Sequence, residues 1–246
     1  MILLLGAGLR LWQLGSVPPS PDWDEVAIGY NAYSILQTGH DEFGNFLPAV
    51  LRSFDDYKPA VYAYLTIPSV ALFGLTTFAV RFPSAVMGIL AIVGMFFLVK
   101  ELFQVNPKRK LEISLVTAAL LAISPWHIQF SHAGFETNVG LTFNIFVALF
   151  FLKGLQRPWL LLVAAAFAGI NLSVYQSERV FTPLLVLALV IIYRKEVFAL
   201  PKKYLILSIL VGVMVVLPPI QFLVTNPSAL QRVKATSLVS QPTPLL

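Results

Sequence analysis

The chain has 246 residues, of which 57% are hydrophobic and 12% charged, and its mean hydropathy is +0.79. That balance excludes an ordinary soluble domain, whose apolar share is roughly 45–50%. The absence of cysteine excludes disulfides and thiolate chemistry, and the net charge of +5 is dispersed among apolar runs, which excludes a nucleic-acid-binding face.

Residues 1–14 are apolar but carry Arg10, with neither a basic leader nor a small-residue cleavage site. They read as a first membrane span and not as a secretory signal.

The stretch "SPDWDEVAIGYNAYSILQTG" (20–39) places Asp22, Asp24 and Glu25 within four positions. Asp22 is a helix cap, Glu25 completes a capping box, and Gly39 is a stop signal, which predicts a helix of about fifteen residues. Ile28, Ala32, Ile35 and Leu36 share one face, as expected for a helix resting on a membrane surface. Three carboxylates at a helix N-terminus are partly explained by the helix dipole. That suffices for Asp22 but not for Asp24 and Glu25, because a second acidic pair, Asp55-Asp56, follows in the same polar segment beside Tyr57 and Lys58. Two acidic sites, one cation and intervening aromatics suit a polar ligand held at the membrane boundary; a lysine snorkelling to the interface is the plainer account of Lys58.

Residues 60–80 are apolar enough to cross a membrane. Pro68 and Gly74 interrupt them, and Tyr57, Tyr62 and Tyr64 suit a headgroup-level belt, so an interfacial or re-entrant helix is expected instead.

Apolar runs at 85–99, 113–125, 139–152, 159–174, 180–193 and 204–223 approach the ~20 residues of a span. The connections 100–112, 153–158 and 193–204 hold ten of the seventeen Lys and Arg. Two spans separate each from the next, so all three fall on one face, and the positive-inside rule makes that face cytoplasmic. Residues 16–80, 124–138, 174–183 and the tail after 224 then face outward, with nine of the twelve acidic residues. In "SPWHIQFSHAGFETN" (124–138), His132 and Glu136 stand four apart and could share a divalent ion, although two side chains do not make a metal site. In "YQSERVFTP" (175–183), Arg179 at a span mouth is a second candidate phosphate contact, and neutralisation by Glu178 explains it as well.

The ordered set "PDWDEVAIGYNAYSILQTGHDEFGNFLP", "DDYKPAVYAYLTIPSVALFG", "VRFPSAVMGILAIVGMFFLVKELF" and "SPWHIQFSHAGFETN" resembles the N-terminal part of the C-type membrane glycosyltransferases. Within them it is most similar to the protein O-mannosyltransferase and aminoarabinose-transferase branch. The resemblance spans the chain, whose Pro-rich end "LVSQPTPLL" is expected to continue into a longer protein. It implies transfer of a sugar from a polyprenyl-phosphate carrier to a lipid, glycan or protein acceptor on the outer face of the cytoplasmic membrane, with inversion. By the resemblance, Asp24 matches the catalytic carboxylate with Glu25 in support, and Lys58 matches a lysine that holds the donor phosphate, in Lys-Pro-Ala where relatives have Lys-Pro-Pro. Asp56, Tyr57, Glu136 and Arg179 complete the expected substrate-binding set. Many relatives carry Arg at the position of His132, which weakens a phosphate role there. No cofactor is certain, and a divalent metal is compatible with the family.

The expected fold is all-α: a polytopic transmembrane bundle of about seven spans, one domain over 1–246, with a large outer loop at 16–80 bearing amphipathic surface helices. A transporter or lipid flippase would instead place ionisable groups at mid-bilayer on broken helices. A non-catalytic membrane subunit would need none of Asp24, Asp56 and Lys58.

Overall fold

The computed structural model describes residues 1–53, 56–103 and 105–225. Asp55 lies outside the described residues, as do the tail beyond 225 and the side chain of Asp56. Among the described residues the chain is all-α apart from one hairpin. In order it runs α1 (Ile2–Leu11), α2 (Trp23–Thr38), β1 (Val50–Ser53), β2 (Asp56–Pro59), α3 (Val61–Phe73), α4 (Thr77–Leu102), α5 (Pro107–Ile123), α6 (Pro125–Ser131), α7 (Glu136–Gly154), α8 (Leu160–Asn171), α9 (Glu178–Ile192), α10 (Arg194–Ala199) and α11 (Lys202–Thr225).

Among the described residues, α4, α7 and α11 are long and apolar enough to cross a membrane; α5 and α6 add a fourth crossing if their 59° bend is one broken span. The protein is therefore an integral membrane protein, with fewer qualifying helices than the expected seven. At 1.5 Å per residue, α1 and α8 reach only ~15 and ~18 Å against a hydrocarbon core of ~30 Å.

Local signals explain the ends that position the site. The Asp22 carboxylate accepts from the Trp23 amide at 2.9 Å, the Glu25 carboxylate accepts from the Asp22 amide at 2.9 Å, and Gly39 closes α2 at φ 76°. The 60–80 segment resolves into α3, which ends at Gly74, and the start of α4, capped by the Thr76 hydroxyl on the Ala79 amide at 3.2 Å. Pro68 lies inside α3 without ending it. Thirteen residues, ~20 Å, do not span a bilayer.

Two cores organise the rest. One joins Ile28 and Ile35 of α2, Leu51, Tyr62 and Ala63 to Val139 and Phe143 of α7. The apolar face of α2 thus packs on the bundle, with Leu36 at its exposed edge, while Trp23, Val26, Tyr30 and Tyr33 face outward. Tyr62, expected in a headgroup belt, is fully buried and donates its hydroxyl to the Val80 carbonyl at 3.0 Å. The other core joins α4, α7, α8 and α9 through Ala91, Ile145, Leu152, Leu161 and Leu189. The outermost helix, α11, has none of its apolar window buried and meets α8 where a Cβ on Gly169 would lie 3.1 Å from the Gly212 carbonyl, a small-residue contact typical of membrane helices.

The three basic connections fall at one end of the bundle. They lie between α4 and α5, between α7 and α8, and around α10, and the Phe151 ring meets the Tyr193 ring at 6.2 Å. The segment from α2 through α3 forms a ledge at the opposite end, where α4 and α7 begin.

Candidate active site

Asp24 and Lys58 form an ion pair. Asp24 sits in the first turn of α2, and Lys58 stands on β2 opposite Leu51 of β1. The hairpin, which the sequence reading lacked, is what carries Lys58 across to α2. Both side chains are reachable from solvent, the Lys58 side chain at 15% and that of Asp24 at 33% exposure.

Glu25, one residue on, is in the opposite situation. At 2% exposure, its Oε1 accepts from Arg81 Nε at 2.8 Å and from the Gly134 amide at 2.7 Å, and its Oε2 accepts from Arg81 Nη2 at 3.0 Å and from the Asp22 amide at 2.9 Å. Burial alone would raise its pKa. The Arg81 hydrogen bond, the Gly134 and Asp22 amides and the Arg81 charge outweigh burial and hold the carboxyl below its usual range.

Arg81 was absent from the expected site. Its remaining donors reach the Leu14 carbonyl at 3.3 Å, Pro18 at 2.8 Å and Ser20 at 3.0 Å, so all five N–H groups are used. This one side chain ties the segment after α1, the start of α2 and the start of α4 together, and Glu25 adds the loop before α7 through Gly134. A signal for it exists: an arginine inside an apolar helix demands a partner.

The other expected residues are distributed around this centre. Tyr57 lies on β2 with its ring 5.9 Å from Phe222 of α11. Asp56 pairs with Ser53 in the hairpin register. Glu136 is 8% exposed in the first turn of α7 and acts, like Glu25, on the buried Tyr62 hydroxyl, whose pKa is raised chiefly by burial and further by these two charges. Arg179 opens α9 half-buried, with Nε 3.5 Å from the Leu172 carbonyl. Its neighbour Glu178 does not neutralise it. The Glu178 carboxylate accepts from Asn144 at 2.6 Å, Asn171 at 3.2 Å and Thr182 at 3.1 Å, a buried polar knot joining α7, α8 and α9.

His132 is taken up by backbone. Its Nδ1 faces the Ile128 carbonyl at 3.0 Å and its Nε2 the Trp12 carbonyl at 3.1 Å, so both nitrogens are turned to backbone oxygens. Among the described residues, no three potential ligands stand together.

An open, mostly apolar cleft of about 200 Å³ lies beside α2, lined by Pro21, Val26, Gly29, Tyr30, Leu75 and Val80. The site can therefore offer a carboxylate and an ammonium to a polar group, with apolar surface close by.

A family model described as dolichyl-phosphate-mannose-protein mannosyltransferase matches residues 57–222, which takes in Tyr57, Lys58, Arg81, Glu136 and Arg179 and begins downstream of Asp24. No curated protein and no solved structure matches.

Proposed function

The chain belongs to the dolichyl-phosphate-mannose-protein mannosyltransferase family and is thus a glycosyltransferase of the C type, and from that premise we propose that it moves a sugar from a polyprenyl-phosphate carrier to an acceptor at the outer face of the membrane, at Asp24 and Lys58. The family supports such a donor. The observation that carries the site is the direct contact between Asp24 and Lys58 from separate elements, beside a second carboxylate whose acceptor positions are all filled.

That contrast divides the roles. Glu25 receives four hydrogen bonds and is a positioning group, holding the first turn of α2 against Arg81 and Gly134. Asp24 keeps a part-exposed carboxylate on that fixed turn, so it is the group that takes the acceptor proton. A positioned base of this kind contributes typically 10²–10⁴-fold.

In the unliganded site Asp24 holds Lys58. A part-exposed ion pair is worth only ~0–1 kcal/mol, so exchanging it for a phosphate contact costs little. Donor binding transfers the Lys58 ammonium to the phosphate and leaves Asp24 free to accept a hydrogen bond from the acceptor. The acceptor oxygen then bonds to the anomeric carbon as the carbon–phosphate-oxygen bond breaks. The bonding pair goes to the phosphate, the proton goes to Asp24, and the single displacement inverts the anomeric centre. Charge develops on the leaving phosphate, so the ammonium stabilises the transition state more than the ground state. The apolar cleft beside α2 offers surface to the carrier's isoprenyl chain, and Arg179 and Glu136 remain candidates for contacts further along the substrates.

The basic connections at the far end of the bundle support an outward ledge through the positive-inside rule. The testing experiment is transfer by the full-length protein in proteoliposomes against a panel of polyprenyl-phosphate sugars added to the outer leaflet. Turnover of at least one supports the reading. Turnover of nucleotide sugars with no lipid-linked donor used would overturn it.

A further inference from the structure

At the end of the bundle opposite Asp24, a cavity of about 350 Å³ opens where α4, α7 and α8 meet the basic connections. Its walls include Phe150 and Lys153 from the end of α7, Gln156, Arg157 and Trp159 from the turn between α7 and α8, and Glu101 from the end of α4. We propose that this cavity binds the phosphate headgroup of an acidic membrane phospholipid.

Three features carry the proposal. The first is charge: two cations and an amide donor line the cavity against one carboxylate. The tight turn in which the Arg157 amide bonds the Lys153 carbonyl at 2.9 Å brings the two cations to one side. The Lys153 ammonium lies 5.3 Å from the Phe97 ring centroid, which fixes it at the wall.

The second is the aromatic setting. Trp159 is 54% exposed at the cavity edge, and an indole there has the apolar body and polar edge of a residue at headgroup depth. The Phe150 ring is stacked against Phe167 at 5.7 Å and gives the cavity an apolar wall.

The third is position. The cavity lies at the ends of two helices able to cross the membrane, α4 and α7, so its mouth sits at the level of a leaflet's headgroups. Basic pockets between membrane helices are the usual receivers of acidic headgroups. A freely diffusing phosphate would need no indole at that depth.

Trp159 also provides the probe. Of the four tryptophans in these 246 residues, Trp12, Trp23 and Trp126 belong to the ledge end and are 64%, 71% and 76% exposed, so replacing them and every tryptophan outside these residues with Phe leaves Trp159 as the one reporter in the full-length protein. Its quenching is measured in phosphatidylcholine vesicles containing a minority of either brominated phosphatidylglycerol or brominated phosphatidylcholine. At ~1 kcal/mol per basic residue near a charged leaflet, two cations offset by one carboxylate leave a net ~1 kcal/mol, so Trp159 should prefer phosphatidylglycerol by about fivefold. Lys153→Gln with Arg157→Gln should abolish the preference, and Arg157→Gln alone, at an exposed position, should reduce it. Lys108→Gln with Lys110→Gln, the same charge change outside the cavity, should leave it intact. An equal loss in both double variants would reveal diffuse surface charge and overturn the proposal. So would displacement of the lipid by inorganic phosphate at matched ionic strength, which would make the site one for soluble phosphate.

Discussion

Arg81 and Glu25, 56 residues apart, meet through two hydrogen bonds of 2.8 and 3.0 Å with side chains only 1% and 3% exposed. Neither touches the Asp24 carboxylate, yet together they fix the turn that presents it. Removing one partner of such a buried pair leaves an uncompensated charge and costs about 3–5 kcal/mol. Arg81→Met should therefore lower the melting temperature in detergent far more than Lys58→Ala, and Arg81→Met with Glu25→Gln should cost less than the sum of the two. Thermal unfolding followed by tryptophan fluorescence checks both. Strict additivity would show that the two side chains do not act as a unit.

The same pair predicts a pH dependence. The folded Glu25 carboxyl lies below its usual range, so its stabilisation is fully present above the unfolded value of ~4.3 and is lost as pH falls through the lower folded value. The wild-type protein should keep its melting temperature on acidification to pH ~5, then lose stability more steeply than Glu25→Gln below ~4.3. Parallel curves for the two proteins over that window would remove Glu25 as the source.

The polar knot on Glu178 predicts a steric effect. A Cβ on Gly140 would lie 2.8 Å from Glu178 Oε1 and 3.0 Å from its Cγ and Cδ, and the carboxylate cannot swing away without leaving Asn144, Asn171 and Thr182. Gly140→Ala should destabilise by about 1–3 kcal/mol, and adding Glu178→Ala should relieve the clash. A Gly140→Ala protein as stable as wild type would mean that α7 and α9 approach less closely than described.

Part of this was legible in the residues. The start and stop of α2 follow from Asp22, Glu25 and Gly39 because capping is local chemistry. Charge and order in one polar segment put Asp24 and Lys58 at a common polar-ligand site, but their direct ion pair was not expected. Nor was the hairpin, because "VLRS" and "DYKP" are four residues each and show no clean alternation, and the second ends in a proline. The Arg81–Glu25 pair depends on which helices pack together, and no short-range pattern encodes that. Arg10 shows the same limit. It counted in the sequence only against a signal peptide, whereas in the fold it is fully buried and donates to the Gly6, Leu121 and Ala122 carbonyls, where α1 meets the end of α5.

Lys58 should act on the donor. Lys58→Ala is expected to raise the KM for the lipid-linked sugar and to lower kcat, because phosphate charge grows toward the transition state. Lys58→Arg should recover part of both. Steady-state kinetics at saturating acceptor separate the terms; an unchanged donor KM together with an unchanged kcat would remove Lys58 from the site.

The central claim is that Asp24 is the proton acceptor on a turn held by others, and the direct measurement is the transfer rate of Asp24→Asn in proteoliposomes at saturating donor and acceptor. A fall of at least about 10²-fold with an unchanged melting temperature is the predicted result. Turnover within a few-fold of wild type in a folded Asp24→Asn protein would contradict the account.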